Sequence, residues 1–76
     1  MTNYEKMLEI TGARATKEEV KSWAYMNRIW VLEMAEIEPF EPMKLSVETF
    51  MKDGYSGDET ENWERFLECE YVEGQG

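Results

Sequence analysis

The sequence predicts an all-α domain, a small bundle of three to four helices around a central Trp-rich helix. Three observations lead there. Apolar residues recur at helical spacing through most of the chain. Three segments open with a short polar side chain followed three residues later by Glu, a pairing that satisfies free amides at a helix start. Most of the glycine and both prolines fall between the apolar segments. The 76 residues are read as one domain, 1–76, which buries only about 60–65 % of its unfolded surface, so the core is small. Hydrophobic residues make up 42 %, with three Trp, four Tyr and three Phe, and each large ring buries roughly 150–250 Å². That is enough for one core.

The first capping pair is Thr2 with Glu5. Behind it Tyr4, Met7, Leu8 and Thr11 follow helical spacing and Gly12 is a natural stop, which predicts a helix over residues 3–11. The second pair is Thr16 with Glu19. Val20, Trp23, Ala24, Asn27, Trp30, Val31 and Met34 then mark one face, and Tyr25, Met26, Ile29 and Leu32 widen the apolar surface nearly all round. A helix apolar on most sides is the one others pack around, so residues 17–37 are expected to form the central element, with Trp30 deeply packed. Pro39 and Pro42 end it, because proline lacks an amide donor and disfavours helix at the residue before it.

Residues 43–51 read two ways. Met43, Leu45, Val47, Thr49 and Met51 alternate like a strand, whereas Ser46 looks like a helix cap before Val47, Phe50 and Met51. A short helix is favoured, with an α+β arrangement carrying a short strand as the alternative. Residues 53–57 hold two glycines and form a turn. After Asp58, paired loosely with Glu61, the residues Trp63, Phe66, Leu67 and Tyr71 fall on one helical face, and Gly74, Gln75 and Gly76 are expected to fray.

Charge and composition narrow the function. The formal net charge is -9. Residues 1–30 carry five bases and four acids, and residues 31–76 carry three bases and thirteen acids, so the acidity belongs to the second part. Such a chain repels nucleic acid and membrane surfaces and favours a basic protein. Cys69 is the only cysteine, which excludes an internal disulfide and points to a reducing compartment. The longest aliphatic or aromatic run, residues 29–32, is far short of a membrane span. Glu5, Lys6 and Glu9 stand where a signal peptide would be apolar, so a cytoplasmic protein is expected.

The chain has no His, so the usual nucleophile-base and zinc constellations cannot be assembled, and no enzyme, metal or cofactor is expected. Residues 53–64 begin and end with acids like a calcium loop, yet Tyr55 and Gly57 replace oxygen ligands and Asp58 replaces the turn glycine. Gly54 and Gly57 lie among acids that would repel phosphate. Asn27, between Trp23 and Trp30, is read as a hydrogen-bonded core or rim residue. Cys69, flanked by Glu68 and Glu70, has no basic neighbour in sequence to activate it. Tyr25 or Tyr55 is the aromatic most expected in an interface.

One feature carries a functional expectation. Asp58, Glu61, Glu64 and Glu68 are spaced three, three and four apart, so they line one helix face, with Glu59, Glu70 and Glu73 nearby. Carboxylates at that interval imitate the closely spaced charge of a nucleic-acid backbone; the bland alternative is a solvated face. The expected partner-binding set is therefore Asp58, Glu59, Glu61, Glu64, Glu68, Glu70 and Tyr55.

The opening Met1-Thr2-Asn3-Tyr4-Glu5-Lys6-Met7 and the later Trp63-Glu64-Arg65-Phe66-Leu67-Glu68-Cys69-Glu70 resemble the ends of small proteins encoded by phages and prophages of Gram-positive gut bacteria. The resemblance implies a phage accessory protein acting in the host cytoplasm. Small acidic proteins of that kind include anti-CRISPR proteins, some of which bind Cas nucleases where DNA or guide RNA would sit. No residue role carries over with it. The expected function is a non-enzymatic inhibitor of a basic nucleic-acid-binding protein, such as a Cas effector, with no direct nucleic-acid contact. A structural or regulatory helical protein that self-associates through exposed aromatics is the alternative.

Overall fold

Thr2 and Thr16 each close a full capping box. Thr2 Oγ1 accepts from the Glu5 amide at 3.2 Å while a Glu5 carboxylate oxygen accepts from the Thr2 amide at 2.7 Å; Thr16 and Glu19 repeat this at 3.1 and 2.8 Å. In the computed structural model, which describes residues 1–73, these caps start α1 (Asn3–Thr11) and α2 (Lys17–Met26). The expected frayed end, 74–76, lies outside the described residues. Gly12, at φ 68°, stops α1 in the left-handed conformation that glycine adopts without steric cost.

The expected central helix over residues 17–37 does not form as one element. Its stop is a Schellman turn: the Ile29 amide donates to the Ala24 carbonyl at 2.9 Å and the Arg28 amide to the Tyr25 carbonyl at 3.1 Å. Arg28 takes the left-handed position, φ 54°, where glycine is usual. Asn27 is exposed, not a core or rim residue, and its Nδ2 donates to the Trp23 carbonyl at 2.8 Å. Trp30 is extended and therefore leaves the helical stripe; it is 52 % exposed, which corrects the deep packing expected of it. A 3₁₀ segment, Val31–Glu36, follows and buries Val31 and Met34.

A second 3₁₀ segment, Glu41–Met43, with Pro42 in its first turn, leads directly into α3 (Lys44–Asp53). Residues 44–51 are helical, so the strand alternative falls. Ser46 does not cap α3 but lies buried within it, its Oγ accepting from the Val72 amide at 2.6 Å. At Gly54 a Cβ would stand 2.9 Å from a Phe50 ring carbon, so glycine lets the turn pass close over that ring.

Asp58 caps α4 (Glu59–Glu68) by accepting from the Glu61 amide at 3.1 Å. The reciprocal half of the box is missing because the Glu61 carboxylate pairs with Arg65 instead. Asn62, Trp63, Phe66 and Leu67 are buried, and α4 packs against α1, α2 and the first 3₁₀ segment. It is the organising helix. Tyr71 lies beyond its end, not on its face: Cys69 turns extended, and an antiparallel bridge between Thr2 and Glu70 ties the chain's two ends together. The Asn3 amide donates to the Cys69 carbonyl and the Tyr71 amide to the Met1 carbonyl, both at 2.8 Å.

The core is threaded by aromatic contacts running Phe40, Trp23, Trp63, Phe66, Phe50, with ring centroids 5.6 to 6.4 Å apart and most pairs edge-to-face. Among the described residues no helix is long and apolar enough to cross a membrane.

Candidate functional site

Each carboxylate of the expected ridge has a distinct fate. Asp58 is spent on the Glu61 amide of α4. Glu59 turns inward, where one oxygen accepts from the Val31 amide at 3.0 Å and the other from the Tyr55 hydroxyl at 2.8 Å and Asn62 Nδ2 at 3.1 Å. Glu61 pairs with Arg65 one helical turn on. Glu64 reaches across to Lys21 on α2 at 3.1 Å, and Lys21 also holds Glu18 at 2.9 Å. Glu70 sits 3.1 Å from the N-terminal amine. Glu68 is exposed and, among the described residues, unpaired.

These contacts have electrostatic signatures. The Lys21 ammonium is held above its ordinary pKa, first by its hydrogen bond to Glu18 and then by the one to Glu64. Burial pushes the Tyr55 phenol upward, and its donation to Glu59 adds to this, since ionisation would put two anions together. Tyr55, one of the two aromatics expected in an interface, is half-buried with its hydroxyl held by Glu59. Tyr25, the other aromatic expected there, is 80 % exposed.

Unpaired negative charge lies mostly elsewhere. Among the described residues Glu36, Glu38, Glu41, Glu48 and Asp53 are exposed, with no ion pair or side-chain hydrogen bond. They sit on the two 3₁₀ segments, the link between them, and α3. The first 3₁₀ segment packs on α3 and the second adjoins both, so these carboxylates belong to one structural unit. Composition placed the acidity in the second part correctly. Which acids would be neutralised depended on tertiary pairing, such as Lys21 with Glu64, that helical spacing does not encode.

A second feature escaped sequence reasoning. Between α2 and the start of α4 runs an open cleft of about 1060 Å³, lined in part by Ala24, Tyr25, Ile29, Trp30 and Trp63. The turn that ends α2 is pinned to its floor by two hydrogen bonds to α4: Trp63 Nε1 to the Ile29 carbonyl at 2.9 Å, and the Val31 amide to Glu59. The available signal was a run of aromatics too wide for one buried stripe.

Among the described residues no cluster of three or more His, Cys, Asp or Glu is placed to hold a metal ion. Cys69 is exposed. No protein-family model, curated protein or solved structure matches this chain.

Proposed function

We propose that this chain is a non-enzymatic binding module that presents an acidic surface to a basic protein which handles nucleic acid, and inhibits it by occupying the groove that the nucleic acid would fill. The observation that carries this reading is the set of unpaired, exposed carboxylates on one unit: Glu36, Glu38, Glu41, Glu48 and Asp53. Carboxylates without internal partners keep their full charge for an incoming surface. The paired acids of α4 offer less, Glu68 excepted. The likeness of the chain's two ends to phage proteins supplies the partner to test first, a Cas effector, and makes an anti-CRISPR role the specific form of the proposal.

Purified Cas nucleases from Gram-positive bacteria, loaded with guide RNA, provide the test. Target-DNA binding should be lost as this protein is added at about 0.05 M salt, and direct association of this protein with the guide-loaded nuclease should weaken steeply towards about 0.5 M, where the Debye length is a few Å. The triple variant Glu36→Gln, Glu41→Gln, Glu48→Gln should lose most of the inhibition, and Glu61→Gln with Glu64→Gln should lose less. Association indifferent to salt, with inhibition indifferent to both sets of substitutions, rules the acidic surface out. If no nuclease in the panel is inhibited, the anti-CRISPR form falls.

A second reading, self-association, is favoured by the exposure of Tyr25, Met26 and Trp30 at 80, 77 and 52 %. Sedimentation separates the two: a concentration-dependent dimer that tolerates salt belongs to the second.

A further inference from the structure

Trp30 is displayed outward on a backbone held from both sides. The residue before it is fixed through its carbonyl by the Trp63 indole, and the residue after it through its amide by Glu59. Arg28 is locked in the left-handed conformation by the Schellman hydrogen bonds. A large ring presented on fixed backbone loses little conformational freedom when it docks. Trp and Tyr also dominate binding hot spots. Tyr25, a neighbour along the same cleft, adds a second exposed ring. Left-handed non-glycine residues are strained, and such strain clusters at ligand clamps and switch regions.

The charge of the cleft decides what fits it. Five acids, Glu18, Glu33, Asp58, Glu59 and Glu64, line the cleft against two bases, Lys21 and Arg28; Lys21 is shared between Glu18 and Glu64, so even with these pairs formed the lining is net negative. A second copy of the chain would bring another -9 against the same surface, which opposes close approach. A cationic segment gains from it.

We infer that the cleft between α2 and α4 is the docking site for a basic amphipathic segment of the partner, whose apolar side chains pack on Trp30 and Tyr25 while its Lys or Arg heads face the acidic rim. This rests on the acidic-module reading and adds an apolar anchor to it.

The test uses the full chain and two fluorescein-labelled peptides of equal charge, an amphipathic Lys/Leu peptide and its Lys/Gly counterpart. Wild type should bind the Lys/Leu peptide at least about tenfold more tightly, with the Trp emission shifting to the blue. Trp30→Ala should remove most of that preference. Tyr25→Ala, at a position too exposed to disturb folding, should reduce it as well, and circular dichroism should show both variants helical. If both variants keep the wild-type preference, or if wild type has none while still binding both peptides at low salt, the cleft inference is overturned and the acidic-module reading stands. If neither peptide binds at low salt, both fall. A dimer that Trp30→Ala dissolves overturns the inference in favour of a second copy.

Discussion

Trp63 and Ile29 are joined by a hydrogen bond from the indole Nε1 to the main-chain carbonyl, 2.9 Å long. Trp63 is buried against Phe66 and Trp23, and a buried indole keeps its donor satisfied. The bond therefore couples core packing on α4 to the placement of the turn that displays Trp30.

Trp63→Phe retains a ring for the edge-to-face contacts but deletes the donor and, at a buried position, part of the indole volume. It should cost about 1–3 kcal/mol, the range for leaving a partly buried carbonyl unpaired. Trp63→Ala should cost about 3–5 kcal/mol by opening a cavity as well. Urea titration followed by circular dichroism measures both. A Trp63→Phe midpoint equal to that of wild type would show that the Ile29 carbonyl finds water and that the turn is not braced by the indole.

Arg28→Gly should stabilise the fold. Arginine in the left-handed region costs roughly 1–2 kcal/mol, and glycine gives back roughly 0.5–1 kcal/mol through its freer unfolded chain, so the net gain is about 0.5–1 kcal/mol. Arg28→Ala keeps the strained backbone and should gain nothing. A lower melting temperature for Arg28→Gly than for Arg28→Ala, both of which lack the arginine side chain, would mean that the left-handed strain at this position is smaller than the stability glycine gives back through its freer unfolded chain.

What was legible in the sequence was local. Thr2, Thr16 and Gly12 set the bounds of α1 and the start of α2 through residues within four positions of themselves. Arg28 was illegible because a Schellman turn without glycine carries no composition signal: helical spacing predicts one helix over residues 17–37 with Trp30 packed in it, whereas the helix spans Lys17–Met26 and Trp30 lies beyond it in an extended conformation. The central role of α4 was hidden for another reason. Its apolar stripe is Trp63, Phe66 and Leu67, shorter than the Trp-rich run, and it becomes central through long-range contacts: the Thr2 to Glu70 bridge sets α1 beside it, and Trp23 of α2 packs edge-to-face on Trp63. The acidic ridge was placed on the right helix, but the contacts that occupy Glu59, Glu61 and Glu64 are settled by folding.

Alkaline pH should loosen the joint between α2 and α4. Lys21 has a folded pKa raised above its ordinary 10.5, and Tyr55 above its ordinary 10.0. Groups with raised folded pKa values contribute stability that is full below the unfolded value and lost as pH rises through the folded one. The melting temperature should therefore fall as pH passes about 10, and less steeply in Lys21→Arg, which stays charged, or in Tyr55→Phe, which cannot ionise. Equal slopes in wild type and both variants would assign the alkaline loss to other groups.

Asn62 is fully buried and ties the turn before α4 to the helix. Its Nδ2 donates to the Ser56 carbonyl at 2.8 Å and to Glu59 at 3.1 Å, and its Oδ1 accepts from the Ser56 amide at 2.8 Å and the Ser56 hydroxyl at 3.2 Å. Asn62→Asp preserves shape and the acceptor but replaces the double donor with an oxygen. The Ser56 carbonyl then loses its partner, and a second carboxylate faces Glu59 at hydrogen-bond range. At pH 7 the variant should be less stable than wild type by about 2–4 kcal/mol. Burial and Glu59 push the introduced carboxyl upward in the folded state, while Arg65 Nη2, which donates to the Asn62 Oδ1 at 3.3 Å, and the two Ser56 donors hold it down; if the first pair prevails, it protonates on folding as pH falls and regains one donor. Its deficit against wild type should therefore shrink between pH 7 and about pH 5. Asn62→Ala, which has nothing to protonate, should show the same deficit at both. Paired guanidinium titrations at the two pH values read the difference, and an Asn62→Asp deficit as flat as that of Asn62→Ala would mean that Arg65 and Ser56 hold the introduced carboxyl ionised.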